Sequence, residues 1–523
     1  MVLVRFDLAK MESFSSLTKE DIIATPWLLG GEARAEEDKV VMEFNPDRPD
    51  LYSIQGATRA IRQYLGKEAF TRLRVEDSGL EILLDAPRDR PFFAACIVKG
   101  IVVRGLLEYI IDYQEKLHLT MGRNRKKSAI GLHDLKKVKF PLKYTHVDRN
   151  IDFYPLGSSE STKISSFMEI NEKAREFGHL VSGRLPAILD SEGEIISLPP
   201  ILNSSITTVD ENTTDIFIDV TGIDRNTVLK TLILMATALS YPAGGLSTVV
   251  VNGEKVPELR EETFEIPTAG IKRIVGYEVG EDLIREALEK MGYLVDERVT
   301  VPPYRVDILG EVDIVEDVLK GIGFQNVKGR RNGFQRYGEE NKLRKMEERL
   351  RRLLIGYDLS ETVSSVLVNT TFNRMYEIGE PVKRIINPIS QEQDSIRKMI
   401  TPSLFQTFLN NFRNPYPQRI FEIGTIYDED GESDVLGIGI ADKDASFSEI
   451  KGLVIGILED LGVEDYSIER GDKGFYIPGR VGRIIAYGRT IGFFGEMHPR
   501  ILRQLGIKMP VATAELKLEL IGK

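Results

Sequence analysis

The length of the chain sets the strongest limit on its architecture. A single hydrophobic core stops growing at about 250–300 residues, whereas this chain has 523. We therefore expect roughly three to five domains rather than one. The content of 42% hydrophobic and 28% charged residues is typical of globular domains and excludes a fibrous or disordered chain.

The charge of the chain limits how it can bind nucleic acid. With 80 acidic and 69 basic residues the net charge is -11, so RNA can be held only through a local basic patch. Two stretches are candidates: residues 123–127, with four positive charges, and residues 328–352, with ten basic and four acidic residues. Each stretch predicts phosphate contacts or, equally well, a solvated surface or a contact with an acidic partner.

The single cysteine and the hydropathy pattern indicate a cytoplasmic protein. Cys96 lies in an apolar run, so we expect a small buried side chain and no intramolecular disulfide or cysteine-based zinc site. The N-terminus shows no signal peptide. The longest apolar helix candidate, residues 231–239, has about half the length of a membrane span. We expect a soluble, cytoplasmic chain that makes no membrane contact.

The periodicity of apolar residues predicts an α+β fold in several domains. Buried strands are expected at residues 92–103 and 216–221, and helices at residues 54–64, 226–239 and 313–322. We divide the chain into a mixed α/β N-terminal domain, a domain with β-sheets, a small helical module, and an α+β domain with an antiparallel sheet. In the last domain we expect strands at residues 363–368, 419–427, 435–441 and 484–494, separated by helices. The boundaries are 1–90, 91–265, 266–335 and 336–523.

The sharpest group of ionisable residues is a run of acids near residue 310. On a helix, Asp313, Glu316 and Asp317 share one face, and Asp307 precedes that helix by a short loop. Carboxylates this close repel each other unless a cation or a basic partner lies among them. Their oxygen atoms suit magnesium or calcium rather than zinc. The alternative is a solvated acidic face in which Asp313 caps the helix.

A second group of polar residues lies on strand 216–221 and on the loop near residue 200. Alternation along the strand places two polar side chains on the same face as Phe217. A carboxylate accepts hydrogen bonds and a threonine donates one or positions a water, so the group is suited to a phenolic ring and an ester. The alternative is a half-exposed strand with ordinary polar residues. The candidates are Asn203, Ser204, Asp219 and Thr221.

Motifs of several enzyme classes are absent from the chain. There is no Walker loop, no Rossmann fingerprint and no Gly-x-Ser-x-Gly motif. A metal-dependent phosphotransferase that used the acids near residue 310 would need a phosphate cradle, which the sequence lacks. His133 and His498 have ordinary structural interpretations.

Five parts of the chain, in series, resemble the β subunit of phenylalanyl-tRNA synthetase, and the resemblance is to its archaeal type. They cover almost the whole chain in the order of the family. No counterpart is found of the RNA-binding-like and anticodon-binding domains that bacterial relatives add. The five parts are residues 45–51 with the following helix; 125–135; 199–204 with 216–222; 302–317 with 323–327; and 387–390, Arg397, Pro402 and 419–424.

The resemblance implies roles for both polar groups. Matched residue by residue, the four acids form a magnesium site shared with the α subunit: Asp307, Asp313, Glu316 and Asp317. Asp219 and Thr221 fall where archaeal relatives place editing residues, and Asn203 and Ser204 are added from the adjoining loop. Editing here means hydrolysis of tyrosine wrongly esterified to tRNA(Phe), a second sieve for side chains that differ by one hydroxyl.

The resemblance also assigns the synthetic reaction to another chain. The last domain resembles the class II synthetase catalytic fold without its catalytic motifs: residues 421–424 stand at the second motif, and no third motif with its ATP-binding arginine follows. ATP and phenylalanine are therefore expected on the α subunit of an α2β2 heterotetramer that charges tRNA(Phe). This chain is expected to hold no catalytic residue for aminoacylation and no cofactor besides Mg²⁺.

Two alternatives remain open at the level of the sequence. The chain is a scaffold subunit that has lost editing, or it is a stand-alone tRNA deacylase. A near-complete last domain argues against the second, because a stand-alone hydrolase does not need it.

Overall fold

The structure, a computed structural model, describes residues 2–259, 261–329, 333, 337–375 and 380–521. The chain forms two compact units, Met1–Asn332 and Gly333–Lys523. Both units contain helices and sheets, so the predicted multidomain α+β architecture is confirmed. The finer division of the chain into four domains stays a prediction.

The first unit begins with a three-stranded antiparallel sheet in the order β1-β3-β2. Its helices are capped as the sequence suggests: Thr18 and Asp21 form a capping box at α2, and Ser53 caps α3. The helix predicted after residue 53 has the expected bounds. The elements are β1 (Val2–Asp7), α1 (Leu8–Ser15), α2 (Lys19–Leu28), β2 (Glu32–Glu36), β3 (Lys39–Phe44) and α3 (Ile54–Tyr64).

A mixed ten-stranded sheet follows, in the order β12-β11-β10-β7-β4-β14-β5-β13-β6, with β15 beside β14; β8 and β9 pair separately. Only the β4–β7 and β4–β14 pairings are parallel among the described strands of this sheet. The strands are β4 (Val75–Leu84), β5 (Phe92–Lys99), β6 (Ser128–Asp134), β7 (Leu142–Val147), β8 (Asp152–Phe153), β9 (Thr162–Lys163), β10 (Leu185–Leu189), β11 (Ile195–Leu198), β12 (Leu202–Asn203), β13 (Asp215–Gly222), β14 (Gly245–Val251) and β15 (Glu254–Val256). The helices are α4 (Leu107–Leu119), α5 (Ile164–Ile170), α6 (Glu172–Phe177) and α7 (Arg225–Leu239).

Strand β13 is buried on both faces, which the sequence did not distinguish from a half-exposed strand. It is hydrogen-bonded to β5 on one side and to β6 on the other. Ile216, Ile218 and Val220 face the large core that includes α7, while Phe217 packs in a second core on the opposite face. The half-exposed alternative is wrong because both faces are covered.

A smaller three-stranded antiparallel sheet and three helices complete the first unit. This module was predicted as helical, but residues 262–301 supply a sheet in the order β16-β18-β17. Pro302 ends β18, as expected of a residue that cannot donate a backbone hydrogen bond. The elements are β16 (Glu262–Phe264), α8 (Thr268–Val275), α9 (Glu281–Lys290), β17 (Leu294–Val295), β18 (Val299–Val301) and α10 (Glu311–Ile322).

The second unit is built on a seven-stranded sheet in the order β19-β22-β23-β27-β26-β25-β24. It is antiparallel except for the β19–β22 pair. The strands are β19 (Ser360–Glu361), β20 (Leu367–Val368), β21 (Ser395–Ile396), β22 (Gln418–Asp428), β23 (Gly431–Ala441), β24 (Tyr466–Arg470), β25 (Tyr476–Ala486), β26 (Arg489–Met497) and β27 (Val511–Lys517). The helices are α11 (Lys342–Gly356), α12 (Thr370–Met375), α13 (Thr401–Asn410), α14 (Phe447–Asp460) and α15 (Pro499–Leu505).

Two expectations for this unit are wrong in detail. Strands β22 and β23 form a hairpin, whereas a helix was expected between them. The strand expected at 484–494 is a second hairpin, because Tyr487 and Gly488 both have positive φ and make a two-residue turn between β25 and β26. No helix in the described part of the chain is long and apolar enough to cross a membrane.

Candidate functional site

A cavity of about 240 Å³ opens beside strand β13 of the ten-stranded sheet. Three of the four residues predicted for a pocket line it: Asp219 on β13, Asn203 on β12, and Ser204 just after it. Thr221, the fourth, is not among the lining residues. The structure therefore brings the loop near residue 200 to Asp219, whereas Thr221 does not line this cavity.

Asp219 is buried in the wall of the cavity and is hydrogen-bonded to a histidine. The Asp219 residue is 1% exposed, and its Oδ2 atom lies 2.9 Å from Nε2 of His133, which is also buried. Nδ1 of His133 lies 2.7 Å from the hydroxyl of Thr207. A neutral imidazole satisfies both contacts by donating from Nε2 and accepting the Thr207 hydroxyl at Nδ1. The carboxylate is thus fixed in direction while its second oxygen keeps acceptor capacity.

Gly131 makes the space in front of the carboxylate. It is the direct cross-strand neighbour of Asp219 on β6 and lines the cavity. A Cβ atom at residue 131 would lie 2.0 Å from Oδ2 of Asp219 and 2.9 Å from Nε2 of His133. Any side chain there would displace the carboxylate.

The loop residues form the side of the cavity. The Asn203 amide oxygen accepts a hydrogen bond from Ser197, at 2.9 Å, and its amide nitrogen donates to the Leu132 carbonyl at 3.3 Å. The hydroxyl of Ser204 donates to the carbonyl of Tyr154 at 2.8 Å. Since Asn203 has a second N–H, it keeps a donor for a ligand, whereas the only hydroxyl proton of Ser204 is used by the fold.

Thr221 is held by a buried arginine that the sequence analysis did not single out. Nε of Arg90 donates to the Thr221 hydroxyl at 2.8 Å and Nη2 to the Thr221 carbonyl at 2.7 Å. Burial lowers the pKa of Arg90 to about 10, so the guanidinium stays charged at neutral pH. Thr221 therefore anchors Arg90 against β13, and its hydroxyl oxygen is already an acceptor in that contact.

Arg125 joins several walls of the cavity. Its Nη1 donates to the carbonyls of Pro200 and Ile201, at 3.2 and 3.0 Å. Its Nη2 lies 2.8 Å from Oε1 of Glu115, and the guanidinium lies over the ring of Phe177 at 4.5 Å. Burial raises the pKa of Glu115. The hydrogen bond with the His118 side chain and the charge of Arg125 lower it more, so the pKa falls to about 2.

The basic stretch 123–127 was predicted as a possible phosphate contact, and the structure corrects part of it. Arg125 is buried and committed to the cavity wall, whereas Arg123 and Lys126 are exposed. The second basic stretch, 328–352, includes residues 330–332 and 334–336, which lie outside the described residues.

The four acids predicted as metal ligands do not converge in this chain, because an arginine lies among them. Nη2 of Arg305 is 2.7 Å from Oδ2 of Asp307 and 2.5 Å from Oδ2 of Asp317. The hydroxyl of Tyr293 donates to the same Asp317 oxygen at 2.6 Å. Burial raises the pKa of Asp307, but the charge of Arg305 outweighs it and holds that pKa below its usual value.

The two remaining acids have partners elsewhere. Oδ2 of Asp313 accepts the backbone N–H groups of Leu309 and Gly310, at 2.7 and 3.0 Å, and so caps α10. Glu316 pairs with Lys320 at 2.9 Å. Within the described residues no three acids, histidines or cysteines are placed to hold a metal ion. Arg305 therefore relieves the repulsion between Asp307 and Asp317, and the magnesium site stays a prediction.

Sequence reasoning missed His133, which contacts Asp219, Gly131, which lines the cavity, and Arg90, which holds Thr221. A signal for the first two exists, since residues 129, 131 and 133 share one strand face and a glycine in a strand indicates close approach of another group. No comparable local signal marks Arg90, which comes from the loop before β5.

Comparison with known proteins agrees with this architecture. Residues 99–238 match the B3/4 domain, residues 264–324 the tRNA synthetase B5 domain, and residues 333–518 the phenylalanyl tRNA synthetase beta chain CLM domain. The cavity lies in the first of these regions and the acid cluster in the second. Together the three domains define a chain of aminoacyl-tRNA synthetase type.

Sequence comparison with curated relatives shows to which family the chain belongs. The phenylalanine–tRNA ligase beta subunit of Pyrococcus horikoshii is 34% identical over 98% of this chain and 99% of its own length. That of Methanocaldococcus jannaschii is 34% identical over 92% and 93%. A crystal structure of an N-terminal fragment of the Pyrococcus horikoshii β subunit is 32% identical and superposes with a TM-score of 0.57, covering 61% of this chain and 99% of the fragment. The chain belongs to the phenylalanine–tRNA ligase β-subunit family.

Proposed function

We propose that this chain pairs with a catalytic α subunit to charge tRNA(Phe), and that its cavity beside β13 hydrolyses tRNA(Phe) carrying tyrosine. The observation that carries the editing proposal is the Asp219 carboxylate, buried and oriented by His133 at a cavity wall where Gly131 leaves room. Membership of the family supports the pairing and the substrate.

The chemistry of Asp219 favours tyrosine over phenylalanine. The second oxygen of this buried carboxylate is satisfied when it accepts the phenolic O–H of tyrosine, whereas phenylalanine leaves that oxygen without a donor. Sites built to hydrogen-bond a hydroxyl reject the analogue that lacks it by about 10⁴–10⁵-fold. Asn203 adds a free N–H to the same cavity for an oxygen of the ester or the ribose. Thr221 supports this wall through Arg90 and does not contact the ligand.

The second unit supports a noncatalytic role in synthesis. Glu422 lies in the segment that resembles the second class II motif, and its Oε1 is 2.6 Å from Nη1 of Arg397. Ser364 donates to the same carboxylate, and both charged side chains are buried. Neither group is free to hold ATP, so we assign ATP, its Mg²⁺ and phenylalanine to the α subunit. Family membership also supports the proposal of an α2β2 assembly in the cytoplasm.

The experiment compares variants of this chain co-expressed with its α subunit. Purified complexes are given Tyr-tRNA(Phe), and the release of tyrosine is followed for wild type, Asp219→Ala and Asp219→Asn. Asp210→Asn, a partly exposed acid on the neighbouring loop that pairs with Lys137, is the matched control. We expect rapid release by wild type and the control, strong loss in both Asp219 variants, and unchanged phenylalanylation in all four.

Three other outcomes would contradict parts of the proposal. Phenylalanylation without tyrosine release in the wild type would leave a scaffold subunit. Tyrosine release by the isolated chain, with no α subunit bound on co-expression, would indicate a stand-alone deacylase. Full release by Asp219→Ala would remove the carboxylate from the reaction.

A further inference from the structure

Two carboxylates face each other across the N-terminal sheet. Glu32 on β2 and Glu43 on β3 are direct cross-strand partners, so their side chains lie on the same side of the sheet. Like charges in this position destabilise an antiparallel pair. Among the residues that the structure describes, neither carboxylate has an ion pair or a side-chain hydrogen bond.

Two neighbouring cations are paired with other acids. Arg34, two residues along β2, pairs with Glu36 at 2.8 Å. Lys320 lines the same cavity as the two carboxylates but pairs with Glu316 at 2.9 Å. The sheet therefore carries an acid pair that forms no ion pair with a cation in the described part of the chain.

Two exposed aromatic side chains border the same acids. A cavity of about 330 Å³ is lined by Glu32 and Glu43 together with Trp27 and Phe324. Trp27, the only tryptophan of the chain, is 70% exposed in the last turn of α2, and Phe324 is 58% exposed just after α10. An exposed tryptophan loses the hydrophobic stabilisation that burial of its large apolar surface would provide.

Acids beside aromatic faces bind cations. Carboxylates form charge-assisted hydrogen bonds with guanidinium or ammonium groups, and the face of tryptophan attracts a cation more strongly than that of any other side chain. Anionic ligands are repelled by the acid pair, which excludes the phosphate backbone of tRNA as occupant. The chemistry of the cavity thus selects a positively charged group with an apolar stem.

We propose that the notch formed by Trp27, Glu32, Glu43 and Phe324 receives an arginine or lysine side chain of the catalytic partner subunit. The inference rests on the proposed function, which supplies that partner. Charge complementarity fixes the chemistry of the inserted residue. Tryptophan and arginine are the residue types that carry most binding energy at protein interfaces, so the notch is an anchor point of the subunit contact.

The single tryptophan makes a direct test possible. This chain is labelled with 5-fluorotryptophan, which places one ¹⁹F signal at Trp27, and unlabelled α subunit is added. Burial of Trp27 against a guanidinium or ammonium is expected to shift the signal and to remove the difference between its positions in H2O and D2O. Unlabelled tRNA(Phe), added alone, is expected to leave the signal unchanged.

Variants test whether the notch contributes to affinity. Trp27→Ala and the double variant Glu32→Lys with Glu43→Lys are each expected to raise the Kd for the α subunit more than about tenfold, as hot-spot residues do. The matched controls are Ile170→Ala, an equally exposed apolar residue at the end of α5, and Glu289→Lys, an exposed acid on α9. Both controls are expected to bind as wild type. Circular dichroism and tyrosine release show that each variant is folded.

The outcomes separate this inference from the proposed function. If the wild-type chain does not bind an α subunit at all, the proposed function fails and the inference fails with it. If it binds while the ¹⁹F signal stays unmoved and the notch variants bind as tightly as the controls, only the notch is refuted. A signal that moves with tRNA(Phe) and not with the α subunit also refutes it.

Discussion

Replacing Arg305 by methionine should strongly lower the stability of the first unit against unfolding. The substitution removes the guanidinium that lies 2.7 Å from Asp307 and 2.5 Å from Asp317, while methionine keeps most of the apolar contact of the arginine stem. The Asp317 carboxylate is buried and that of Asp307 is nearly buried, so water replaces little of the lost charge. Breaking a buried ion pair by removing one partner costs about 3–5 kcal/mol.

The structure places the expected loss near the lower end of that range. The hydroxyl of Tyr293 still donates to Asp317, and the charge of the buried Arg48 still acts on Asp307. We therefore expect the free energy of unfolding to fall by about 3 kcal/mol. With a slope of about 3 kcal/mol/M for a unit of this size, the urea midpoint should fall by about 1 M.

Hydrogen exchange read by mass spectrometry is the suitable assay, because a chain with two compact units need not unfold in one step. Peptides from α10 should lose protection in Arg305→Met, while peptides from β22 and β23 in the second unit serve as an internal control. The double variant Arg305→Met with Asp317→Asn should recover part of the lost protection, since it removes one buried charge that has no counter-ion.

The same assay tests the metal interpretation of this cluster. We expect Mg²⁺ and EDTA to leave the protection of α10 unchanged in the wild type, alone and with its α subunit. A saturable gain in protection with Mg²⁺ that Asp307→Asn abolishes would refute the ion-pair reasoning, as would an Arg305→Met variant within about 0.5 kcal/mol of wild type.

Three further substitutions have defined outcomes. Gly131→Ala places a Cβ atom 2.0 Å from Oδ2 of Asp219, so tyrosine release from Tyr-tRNA(Phe) should be lost while phenylalanylation is kept. Normal tyrosine release by this variant would show that the reaction does not need the carboxylate at its present position. Arg125→Ala should slow tyrosine release without changing the slope of tRNA affinity against salt, because Arg125 holds Pro200 and Ile201 rather than a phosphate. Burial raises the pKa of Glu515, so the folded state binds its proton more readily than the unfolded one and loses stability as pH rises above about 4.3. Glu515→Gln should therefore unfold at higher temperature than wild type at pH 7, by a margin that shrinks toward pH 4; an unchanged margin across this range would contradict the assignment.

Sequence patterns predicted the elements of the fold whose stability depends on residues close together in the chain. Helix α3 has the expected bounds because its apolar spacing and the Ser53 cap lie within a few residues of each other. Strand β13 was expected from its alternation, but alternation does not say whether the face that carries Phe217 and Asp219 meets solvent or a second core. The hairpin at Tyr487 and Gly488 was read as one strand because the turn is only two residues long.

The candidate site was predicted where residues are close in sequence and missed where they are not. Asp219 and the loop near residue 200 meet as expected, and this part depends on a strand and a turn. His133 lies 86 residues before Asp219, and only the pairing of β6 with β13 brings the two together. Thr221 was assigned to the pocket by alternation and by the family resemblance, but Arg90 from a separate loop donates to its hydroxyl.

The acid cluster shows a different limit of sequence reading. Helical spacing placed Asp313, Glu316 and Asp317 on one face, and the helix is present. Spacing does not reveal that Arg305 folds back between Asp307 and Asp317, although it precedes Asp307 by only two residues. Burial of that arginine decides the outcome, and burial is a property of the packed unit.

The pairing of β13 on both edges has a consequence for how this site can change during evolution. Hydrogen bonds to β5 and β6 fix Asp219 to Ala95 and Gly131, so the carboxylate is positioned by the sheet and not by a loop. A slip of one residue would present Val220 in its place and turn Asp219 toward the apolar core. Loops near Asn203 are free to lengthen or vary and so alter which ligand fits, while the acid itself is either retained at its present register or lost outright.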